Sequence, residues 1–584
     1  MRATFIFLIC CTILPGLKAG MTRSQSGMAS PQDELVFLPL GGLGEIGMNA
    51  ALYGFGPETD RQWILVDCGM GFGGEEQLPG IDLVYPDLRF IEEERHNLLG
   101  IFITHAHEDH IGALVEMWPR LRAPVYATRF AIGLLETRRL SEPDAPKIEL
   151  NEIAPGQRLK LGAFDVEYVP VAHSIPESNA LAIRTPHGLI VHTGDWKLDP
   201  TPYLGSLTSE ESFRKLGEEG VLALVCDSTN VVREGTSPSE ADVAKNLATL
   251  IKDAPHRVAI TTFASNVARI RSVAEAAREC GRDIVVVGRA MDRVVDVARE
   301  CGYLEDLPEF HSAENFGYMP RDKVVAVLTG SQGEPRAALA RIAFDEHPDI
   351  ALSAGDRVIF SSRAIPGNEK AVGSIINSLI EQGIEVITDR TELVHVSGHP
   401  RRGELAQMYE WTKPRIAIPA HGEPLHLAEH AKFARQQGVP EVVRAKNGTL
   451  VRLAPGKAEI IDTIPAGRVY KDGNIVIPAG ERALPERRKL AFAGIVTVAI
   501  AIDDRGEIAG DPVVDAMGLP EKNRQGRDLT DIIADTVADT LDGLPKAKRR
   551  DPDAVENAVH RAVRAAVNQE WGKKPACHVL VIEV

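Results

Sequence analysis

Two patterns of hydrophobic and polar positions follow each other along the chain. Up to about residue 238, short apolar runs of strand length recur, and several end in a histidine or an aspartate. From about residue 239, helix-length segments alternate with short apolar strands, which is typical of an α/β domain with a parallel sheet. The histidine-bearing pattern resumes at residues 395–399. The segment with the second pattern is therefore predicted to be a domain inserted into the first.

The same pattern assigns individual elements. In the inserted region the clearest predictions are strands 256–262, 283–288, 323–329 and 357–361 and helices 266–279 and 291–301. Towards the C-terminus they are one long β run over 487–503, helices over 528–542 and 552–570, and a strand from residue 577. The second group predicts a small α/β unit with an apolar sheet, typical of an association domain.

The densest group of polar side chains follows the apolar run 98–104. His105, His107, Asp109 and His110 lie within six residues, where a buried strand is predicted to turn into a helix. Imidazole nitrogen and carboxylate oxygen are the ligands that zinc and similar divalent metals prefer. The segment therefore predicts a metal site rather than a set of solvated polar side chains.

The spacing H-x-H-x-D-H resembles the signature of the metallo-β-lactamase fold, which holds two metals and takes further ligands from later strand ends. Three acidic or histidine residues stand at such ends: His173, Asp195 and Asp227. We predict that His173 and Asp195 are ligands and that Asp195 bridges the two metals.

A glycine-rich stretch near the start could also be interpreted as a dinucleotide-binding site. Gly42, Gly44 and Gly47 match G-x-G-x-x-G, and Asp67 lies twenty residues beyond the last of them, as in a dinucleotide site. Such a site needs a helix after the glycines, whereas the next segment is short, β-leaning and broken by glycines. We therefore predict a hairpin. Asp67 either supports the metal site from behind or is a plain turn residue.

Composition narrows the function classes. With 584 residues, 44% hydrophobic and 25% charged, the chain is an ordinary globular protein of about three domains. A net charge of −17 argues against a broad basic nucleic-acid-binding face, but not against a nuclease with local phosphate contacts. The seven cysteines are scattered without C-x-x-C, which fits a reducing compartment.

The first twenty residues conflict with that compartment, because a charged start and an apolar stretch resemble a secretory signal. The stretch is too short for a convincing transmembrane helix. Met21 and Met28 offer later starts, so we favour an over-extended reading frame and predict a cytoplasmic protein without membrane contact. Export to the periplasm is the alternative.

Seven motifs together resemble the bacterial ribonuclease J family, from the β-CASP branch of metallo-β-lactamase proteins. They are GGLGEIG at 41–47, DSTN at 227–230, TFASN at 262–266, GSQGEP at 330–335, IPGNE at 365–369, HVSGH at 395–399 and PAHGE at 419–423. The resemblance covers roughly residues 34–584. It implies an α/β fold, with a metallo-β-lactamase αββα sandwich, an inserted α/β β-CASP domain and a small α/β C-terminal domain.

The resemblance also implies the bounds of these units. They are an N-terminal extension (1–33), the first part of the metallo-β-lactamase domain (34–238), the β-CASP domain (239–389), the second part of the first domain (390–462), a linker (463–485) and the C-terminal association domain (486–584). The apolar N-terminal extension departs from the family pattern. So does Pro400-Arg-Arg, where a small residue often follows the histidine.

Residue roles carried over from the family agree with the ligands predicted above. One metal would be held by His105, His107 and His173, the other by Asp109, His110 and His421, with Asp195 shared. His399 would contact the scissile phosphate as an acid or base, and Asp227 would take part in proton transfer beside it. The implied substrate contacts are Thr262, Phe263, Ala264, His395, Val396, Ser397, Gly398 and His399, with Ser331 and Gln332 in a pocket for the RNA 5′-phosphate.

The implied activity is metal-dependent hydrolysis of RNA in rRNA processing and mRNA decay, both 5′-to-3′ exonucleolytic and endonucleolytic, with preference for 5′-monophosphate ends. Two divalent ions per subunit, zinc first and manganese or magnesium as alternatives, would activate a water that attacks phosphorus. Hydrolysis that does not use the 2′-hydroxyl leaves a 5′-phosphate and a 3′-hydroxyl. The implied partners are RNA, further copies of the chain joined through the C-terminal domain as a dimer or tetramer, and proteins of an RNA-degradation complex.

Some assignments stay open. Arg363, Arg401 and Arg402 either line an RNA channel or are solvated, and the basic run from Lys546 is an RNA contact or a loop. A DNA-directed β-CASP nuclease is the nearest rival function. A small-molecule metallo-hydrolase would need neither the inserted domain nor His399, and a non-catalytic RNA scaffold would not need a complete ligand set.

Overall fold

The computed structural model describes part of the chain, namely residue 30 and residues 32–73, 78–81, 83–142, 145–365 and 367–584. Most of the N-terminal extension, including the signal-like stretch, lies outside these residues. Among the helices within them, none is both long enough and apolar enough to span a membrane.

The chain up to Asp227 is rich in short strands. They are β1 (Glu34–Gly41), β2 (Ala50–Gly56), β3 (Gln62–Val66), β4 (Gly71–Phe72), β5 (Leu83–Pro86), β6 (Leu98–Phe102), β7 (Val125–Ala127), β8 (Leu150–Glu152), β9 (Arg158–Leu161), β10 (Phe164–Pro170), β11 (Asn179–Thr185), β12 (Gly188–His192) and β13 (Val221–Asp227). The helices are α1 (Arg89–Glu93), α2 (Glu108–Ile111), α3 (Leu114–Leu121), α4 (Arg129–Ser141) and α5 (Glu210–Glu219). The predicted hairpin is confirmed, because β2 pairs antiparallel with β3, and β2 also pairs with β1 across the glycine-rich stretch.

The inserted region alternates helices and strands as predicted. Its elements are α6 (Glu240–Lys252), β14 (Val258–Thr261), α7 (Val267–Glu279), β15 (Asp283–Val287), α8 (Arg289–Glu300), β16 (Val324–Leu328), α9 (Ala338–Ala343), β17 (Arg357–Phe360), α10 (Glu369–Glu381) and β18 (Glu385–Ile387). The strands form a parallel sheet in the order β15-β16-β14-β17-β18. Its central strands are continuous apolar runs, because helices cover both faces.

After the insertion the chain returns to the first two sheets. The returning elements are α11 (Arg402–Thr412), β19 (Ile416–Ala420), α12 (Pro424–Gln436), β20 (Glu441–Val442), β21 (Thr449–Ala454) and β22 (Glu459–Thr463). One sheet has the order β22-β21-β1-β2-β3-β6-β7-β8 and the other β20-β19-β13-β12-β11-β10-β9. Their inner faces share one apolar core, and helices pack on both outer faces. This is the predicted αββα sandwich.

The remaining chain forms two small sheets. Its elements are β23 (Arg468–Asp472), β24 (Ile475–Pro478), α13 (Ala483–Ala493), β25 (Ile495–Ile502), β26 (Val513–Met517), α14 (Leu529–Gly543), α15 (Lys546–Arg549), α16 (Pro552–Trp571) and β27 (Ala576–Glu583). Strands β23 and β24 join β4 and β5, so the segment predicted as a linker is paired with the first domain. Strands β26, β25 and β27 form a C-terminal sheet covered by α14 and α16.

One predicted element is wrong. The single β run over 487–503 is divided into helix α13, which ends at Ala493, and strand β25, which begins at Ile495. Gly494 separates them with φ +66, a left-handed conformation that favours glycine. The residue bounds given to the domains stay predictions.

Candidate metal centre

The H-x-H-x-D-H segment lies where β6 ends and α2 begins. Its backbone is fixed by bonds from the segment that follows β3: Cys68 N–H donates to the His110 carbonyl at 2.7 Å, and Met70 N–H to the Glu108 carbonyl at 2.9 Å. Between them, a Cβ on Gly69 would lie 1.7 Å from the Asp109 carbonyl oxygen. Only glycine therefore allows this close approach, which holds the segment's side chains on one side.

Four side chains form a first cluster, in which each offers one donor atom and all these atoms lie within 4.8 Å of one another. They are His105, His107, His173 and Asp195. The His107 Nδ1 lies 3.1 Å from both His105 Nε2 and His173 Nε2. Burial lowers the pKa of His107 to about 4 and that of His105 and His173 well below the usual range. Three neutral imidazoles around one carboxylate fit a divalent cation.

A second cluster shares Asp195 with the first, and its donor atoms likewise lie within 4.8 Å of one another. It consists of Asp109, His110, Asp195 and His421. Asp195 Oδ1 lies 2.5 Å from His421 Nδ1, and its Oδ2 lies 3.3 Å from His110 Nε2. His421 Nε2 is buried without a hydrogen-bond partner among the described residues, 3.4 Å from Asp109 Oδ2. An unpaired buried nitrogen aimed at carboxylates also fits a bound cation.

His421 sits in a left-handed conformation with φ +47, directly after β19. A residue other than glycine adopts this conformation only where its surroundings enforce it. Together the two clusters bring all seven predicted ligands into one site, with Asp195 between the two groups. Whether each side chain binds metal stays a prediction.

Asp67 supports this site from behind. Its Oδ2 lies 2.7 Å from His110 Nδ1, and its carboxylate accepts bonds from both the backbone N–H (2.8 Å) and the hydroxyl (2.9 Å) of Thr104. Because Nδ1 of His110 is engaged, Nε2 is the nitrogen that faces Asp195. Of the two roles that the sequence left open for Asp67, the structure favours support of the site over a plain turn.

His399 and Asp227 form a pair beside the clusters. His399 Nδ1 lies 2.7 Å from Asp227 Oδ2, and the His399 ring is centred 5.2 Å from His173 and 5.4 Å from His421. Burial alone would lower the pKa of His399, but the carboxylates of Asp227 and Asp195 more than offset this and raise it. The pair can therefore hold a proton at the edge of the site.

Two supporting contacts were missed by the sequence reasoning. Asn230 Nδ2 donates to Ser397 Oγ at 2.8 Å and to the His399 carbonyl at 3.1 Å, although DSTN was recognised as a motif. Behind Asp227, buried His430 bridges Ser228 Oγ (2.8 Å) and the Tyr409 hydroxyl (2.9 Å). A single histidine on an amphipathic helix carries no sequence signal for this role.

The predicted substrate contacts lie on the segment that leads to His399 and at one edge of the inserted sheet. Gly398 is close to the first cluster, since its carbonyl lies 2.7 Å from His173 Nδ1. Thr262, Phe263 and Ala264 follow β14, while Ser331 and Gln332 follow β16, at the same edge of the inserted sheet. Gln332 Nε2 donates to the Arg363 carbonyl at 2.9 Å. His395 and Val396 lie on the segment that leads to Ser397 and His399. Contact of these residues with RNA stays a prediction.

Four family descriptions match successive parts of the chain. They are "Beta-lactamase superfamily domain" over residues 62–210, "Ribonuclease J, beta-CASP domain" over 255–379, "Zn-dependent metallo-hydrolase RNA specificity domain" over 383–443 and "Ribonuclease J C-terminal domain" over 482–584.

Relatives match nearly the whole length. Ribonuclease J of Sinorhizobium meliloti is 56% identical over 94% of this chain and 98% of its own. Ribonuclease J of Mycolicibacterium smegmatis is 39% identical over 93% of this chain and 96% of its own. Among solved structures, a protein of unknown function from Enterococcus faecalis V583 has the same fold over 72% of this chain and 100% of its own, with a TM-score of 0.51 and 16% identity.

The αββα sandwich, the inserted domain and the family matches agree. The predicted nuclease class is confirmed, as is metal dependence at the level of the family. The chain belongs to the ribonuclease J family of metal-dependent β-CASP nucleases.

Proposed function

We propose that this chain hydrolyses RNA as both a 5′-to-3′ exonuclease and an endonuclease, prefers 5′-monophosphate ends, and acts in RNA processing and decay in the cytoplasm. The observation that carries the proposal is the convergence of two histidine–carboxylate clusters with the His399–Asp227 pair. A small-molecule hydrolase of this fold would need no such pair beside the clusters.

We propose two divalent ions per subunit, with zinc first and manganese or magnesium as alternatives. His105, His107 and His173 would hold one ion, and Asp109, His110 and His421 the other, with Asp195 shared. Such ions, when bound, acidify a water and neutralise charge on the phosphoryl oxygens. The mixed nitrogen and oxygen donors support zinc, as does the family description of a Zn-dependent metallo-hydrolase.

His399, supported by Asp227, is proposed to donate a proton to the leaving group. Asp227 accepts from Nδ1 of His399, which leaves Nε2 to exchange a proton with the substrate. Donation to the departing 3′-oxygen would yield a 3′-hydroxyl and a 5′-phosphate. The Asn230 bonds to Ser397 and the His399 carbonyl keep the imidazole in place.

The proposed RNA path runs along the junction of the two domains. The segments Thr262–Ala264 and His395–His399 would contact nucleotides near the scissile bond, and Ser331 with Gln332 would bind the 5′-terminal phosphate. Ser331 and Gln332 are both buried at a strand end. A hydroxyl and an amide N–H can both donate hydrogen bonds to phosphate oxygens, which supports a role for these two side chains in recognising a terminal phosphate.

We further propose that residues 486–584 join copies of the chain into a dimer or tetramer and that proteins of a degradation complex are further partners. The outer face of the C-terminal sheet supports the first part. Val513, Met517, Leu580 and Ile582 expose 66%, 66%, 56% and 55% of their surfaces there. Such an exposed apolar sheet face is typical of a subunit interface. We also propose the domain bounds predicted from the sequence, from the N-terminal extension to the C-terminal association domain.

The test compares RNAs with different ends. Purified protein loaded with zinc or manganese is given 3′-labelled RNA bearing a 5′-monophosphate or a 5′-hydroxyl, together with circular RNA and single-stranded DNA. We expect mononucleotide release that is faster from the monophosphate, internal cuts in the circle, and loss of both in His105→Ala.

Three results would contradict the proposal in different ways. Equal rates on the two 5′ ends would exclude the end preference, and an intact circle would exclude the endonuclease. Preferential cutting of DNA would replace RNA with the rival substrate.

A further inference from the structure

Three arginines lie on segments that border the junction of the two domains. Arg233 lies in the loop after β13, Arg363 follows β17 in the inserted domain, and Arg401 precedes α11. The loop is fixed to the start of α11, since Arg402 N–H donates to the Arg233 carbonyl at 3.0 Å. Arg401 Nη1 donates to the Thr236 carbonyl at 3.2 Å. The three come from segments far apart in sequence, and we call them the arginine cluster.

The positive charges of the cluster are incompletely balanced. Arg363 Nε lies 2.9 Å from Asp389, whereas the Arg401 guanidinium donates to a carbonyl and has no carboxylate partner within the described part of the chain. The Arg233 guanidinium has no hydrogen-bond or ion-pair partner among the residues that the structure describes. Burial lowers the pKa of Arg233 and the charges of Arg363 and Arg401 lower it further, while the carboxylate of Asp389 acts in the opposite direction. Like charges held together at a partly buried position are stabilised by a bound anion.

The neighbouring Arg402 shows the contrast. Its guanidinium lies 2.8 Å from Glu234 and 3.0 Å from Glu429, and it packs over the ring of Phe433. A partnered arginine of this kind has a structural role and leaves no charge for a ligand. Of the three arginines that the sequence proposed for a channel, Arg402 is therefore excluded, whereas Arg233 was missed.

The cluster borders both parts of the candidate site. On one side, Asn230, three residues before Arg233, is bonded to Ser397 and to the His399 carbonyl. On the other side, Gln332 Nε2 donates to the carbonyl of Arg363, and its Oε1 accepts from Ile365 N–H at 2.8 Å. The segments that carry the cluster are thus bonded both to the segment of His399 and to Gln332.

We propose that Arg233, Arg363 and Arg401 bind a phosphate group of the RNA next to the scissile bond. The inference rests on the proposed function, because it takes RNA as the substrate. The guanidinium fork suits phosphate oxygens, to which it can donate two parallel bonds. The phosphate is either the 5′-terminal one or an internal one close to the cut.

The test removes one charge at a time from the full-length, metal-loaded protein. Arg233→Gln and Arg401→Gln are compared with Arg233→Lys and with Arg278→Gln, which removes an exposed arginine of α7 outside the cluster. Cleavage of 5′-monophosphate and 5′-hydroxyl RNA is followed over a range of salt concentrations. The small diester bis(p-nitrophenyl) phosphate and the metal content serve as readouts that do not involve the RNA chain.

For both glutamine variants we expect KM for RNA to rise roughly tenfold and the slope of log KM against log salt to fall by about 0.7, the value for one contact to a single strand. Arg233→Lys should keep the salt slope and recover part of the loss, because it keeps the charge but not the fork. Small-diester hydrolysis and metal content should stay unchanged, and Arg278→Gln should match the wild type.

The two 5′ ends distinguish the source of the phosphate. A loss confined to 5′-monophosphate RNA assigns the cluster to the terminal phosphate, and an equal loss on both RNAs assigns it to an internal one. Glutamine variants that behave like Arg278→Gln on both RNAs at every salt concentration would overturn the inference and leave the proposed function standing. A wild-type protein that leaves RNA intact would overturn the proposed function, and the inference with it.

Discussion

At the scale of single residues, Asp67 connects the backbone of the first sheet to the metal centre. Its carboxylate is bonded to Thr104 and His110, and its own φ of +62 places it in the left-handed region. A ligand held by such a carboxylate is oriented before the metal arrives and is more basic. Asp67 therefore belongs to the functional site although it offers no atom to either cluster.

Asp67→Asn should weaken metal binding while the chain still folds. The amide keeps the shape of the side chain but loses the charge that faces His110, so we expect metal affinity to fall roughly 10- to 100-fold. Titration of the metal-free protein with zinc measures this. Asp165→Asn is the control, because that carboxylate pairs with the half-exposed Arg158 at the surface. Equal affinities in all three proteins would remove Asp67 from the site.

His430 should make stability depend on pH. Burial lowers its pKa to about 4, whereas an unfolded histidine has a pKa of about 6.5. Between these values the unfolded chain binds the extra proton, so stability falls as pH falls from about 6.5 to 4, by about 3 kcal/mol in total. The group contributes fully above pH 6.5.

The measurement is urea unfolding of the wild type and His430→Gln at several pH values between 4 and 7. The difference between the two free energies of unfolding should shrink as pH falls, because glutamine does not titrate. A difference that stays constant with pH would show that His430 is not held neutral in the fold.

At the scale of elements, the inserted domain is joined to the sandwich by buried charges. Lys197 Nζ lies 2.9 Å from Asp199 and 3.7 Å from Glu240 of α6, and Glu240 lies 2.6 Å from Arg269 of α7. Arg269 also donates to the Val394 carbonyl at 2.9 Å, directly before the segment that leads to His399. These contacts connect the segment that leads to His399 to both domains.

Arg269→Met should therefore damage stability and catalysis together. It leaves Glu240 buried with one cation fewer, and removal of one partner from a buried ion pair costs about 3–5 kcal/mol. Arg271→Met on the same helix is the matched control. Its ion pairs with Glu275 and Asp306 are more exposed, so its loss should cost at most about 1 kcal/mol.

Urea unfolding gives the stability of both variants, and RNA cleavage at a temperature where both are folded gives kcat. We expect kcat to fall in Arg269→Met and to stay unchanged in Arg271→Met. Similar free energies of unfolding for the two variants would contradict the proposed importance of the buried ion pairs of Glu240 with Arg269 and Lys197.

Periodicity predicted most elements of the inserted domain, because its strands are continuous apolar runs between amphipathic helices. It failed at residues 487–503, where an apolar stretch spans a helix end and a strand start, and only the backbone of Gly494 marks the division. The pairing of β5 with β23 was also beyond its reach. Both strands are short, and nothing local in either specifies a partner so distant in sequence.

The candidate site was predictable to a different degree. Of the seven predicted metal ligands, five stand in recognisable motifs, and His173 and Asp195 stand at strand ends, so spacing and family resemblance were sufficient to name them. Asn230, His430 and Arg233 were not singled out, because their roles come from neighbours that only folding supplies. Arg402 shows the reverse case. Its charge suggested a contact with RNA, whereas its guanidinium is already paired with Glu234 and Glu429.

At the scale of the whole molecule, the net charge of −17 is compatible with an anionic substrate. Positive charge is placed where RNA would enter, on the arginine cluster, and bound metal ions would add more. Elsewhere the acidic surface would repel nucleic acid, which fits the proposed restriction of RNA contacts to the junction of the two domains. Binding should then be strongly salt-dependent while remaining local.

The proposed assembly through the C-terminal domain also belongs to the scale of the whole molecule. Leu580 and Ile582 lie on the same outward face of β27, beside Ala499 and Ala501 of β25. Two lysines in Leu580→Lys/Ile582→Lys should separate the subunits, because charges on this face cannot be buried against a second copy. Analytical ultracentrifugation measures the mass, and Ile475→Lys on β24 is the control for an exposed apolar residue elsewhere. A double variant with the mass of the wild type would place the interface on another surface.

The central claim is that this chain needs two metal ions to hydrolyse RNA, and that the two groups of ligands have Asp195 in common. The most direct test is the metal content per chain of wild type, His107→Ala and Asp195→Asn, measured by mass spectrometry after dialysis, together with their RNA cleavage. We predict about two ions in the wild type, fewer in His107→Ala, fewest in Asp195→Asn, and cleavage that falls in the same order. A wild type that cleaves RNA at full rate with no metal bound, or variants that keep both ions and full activity, would contradict this claim.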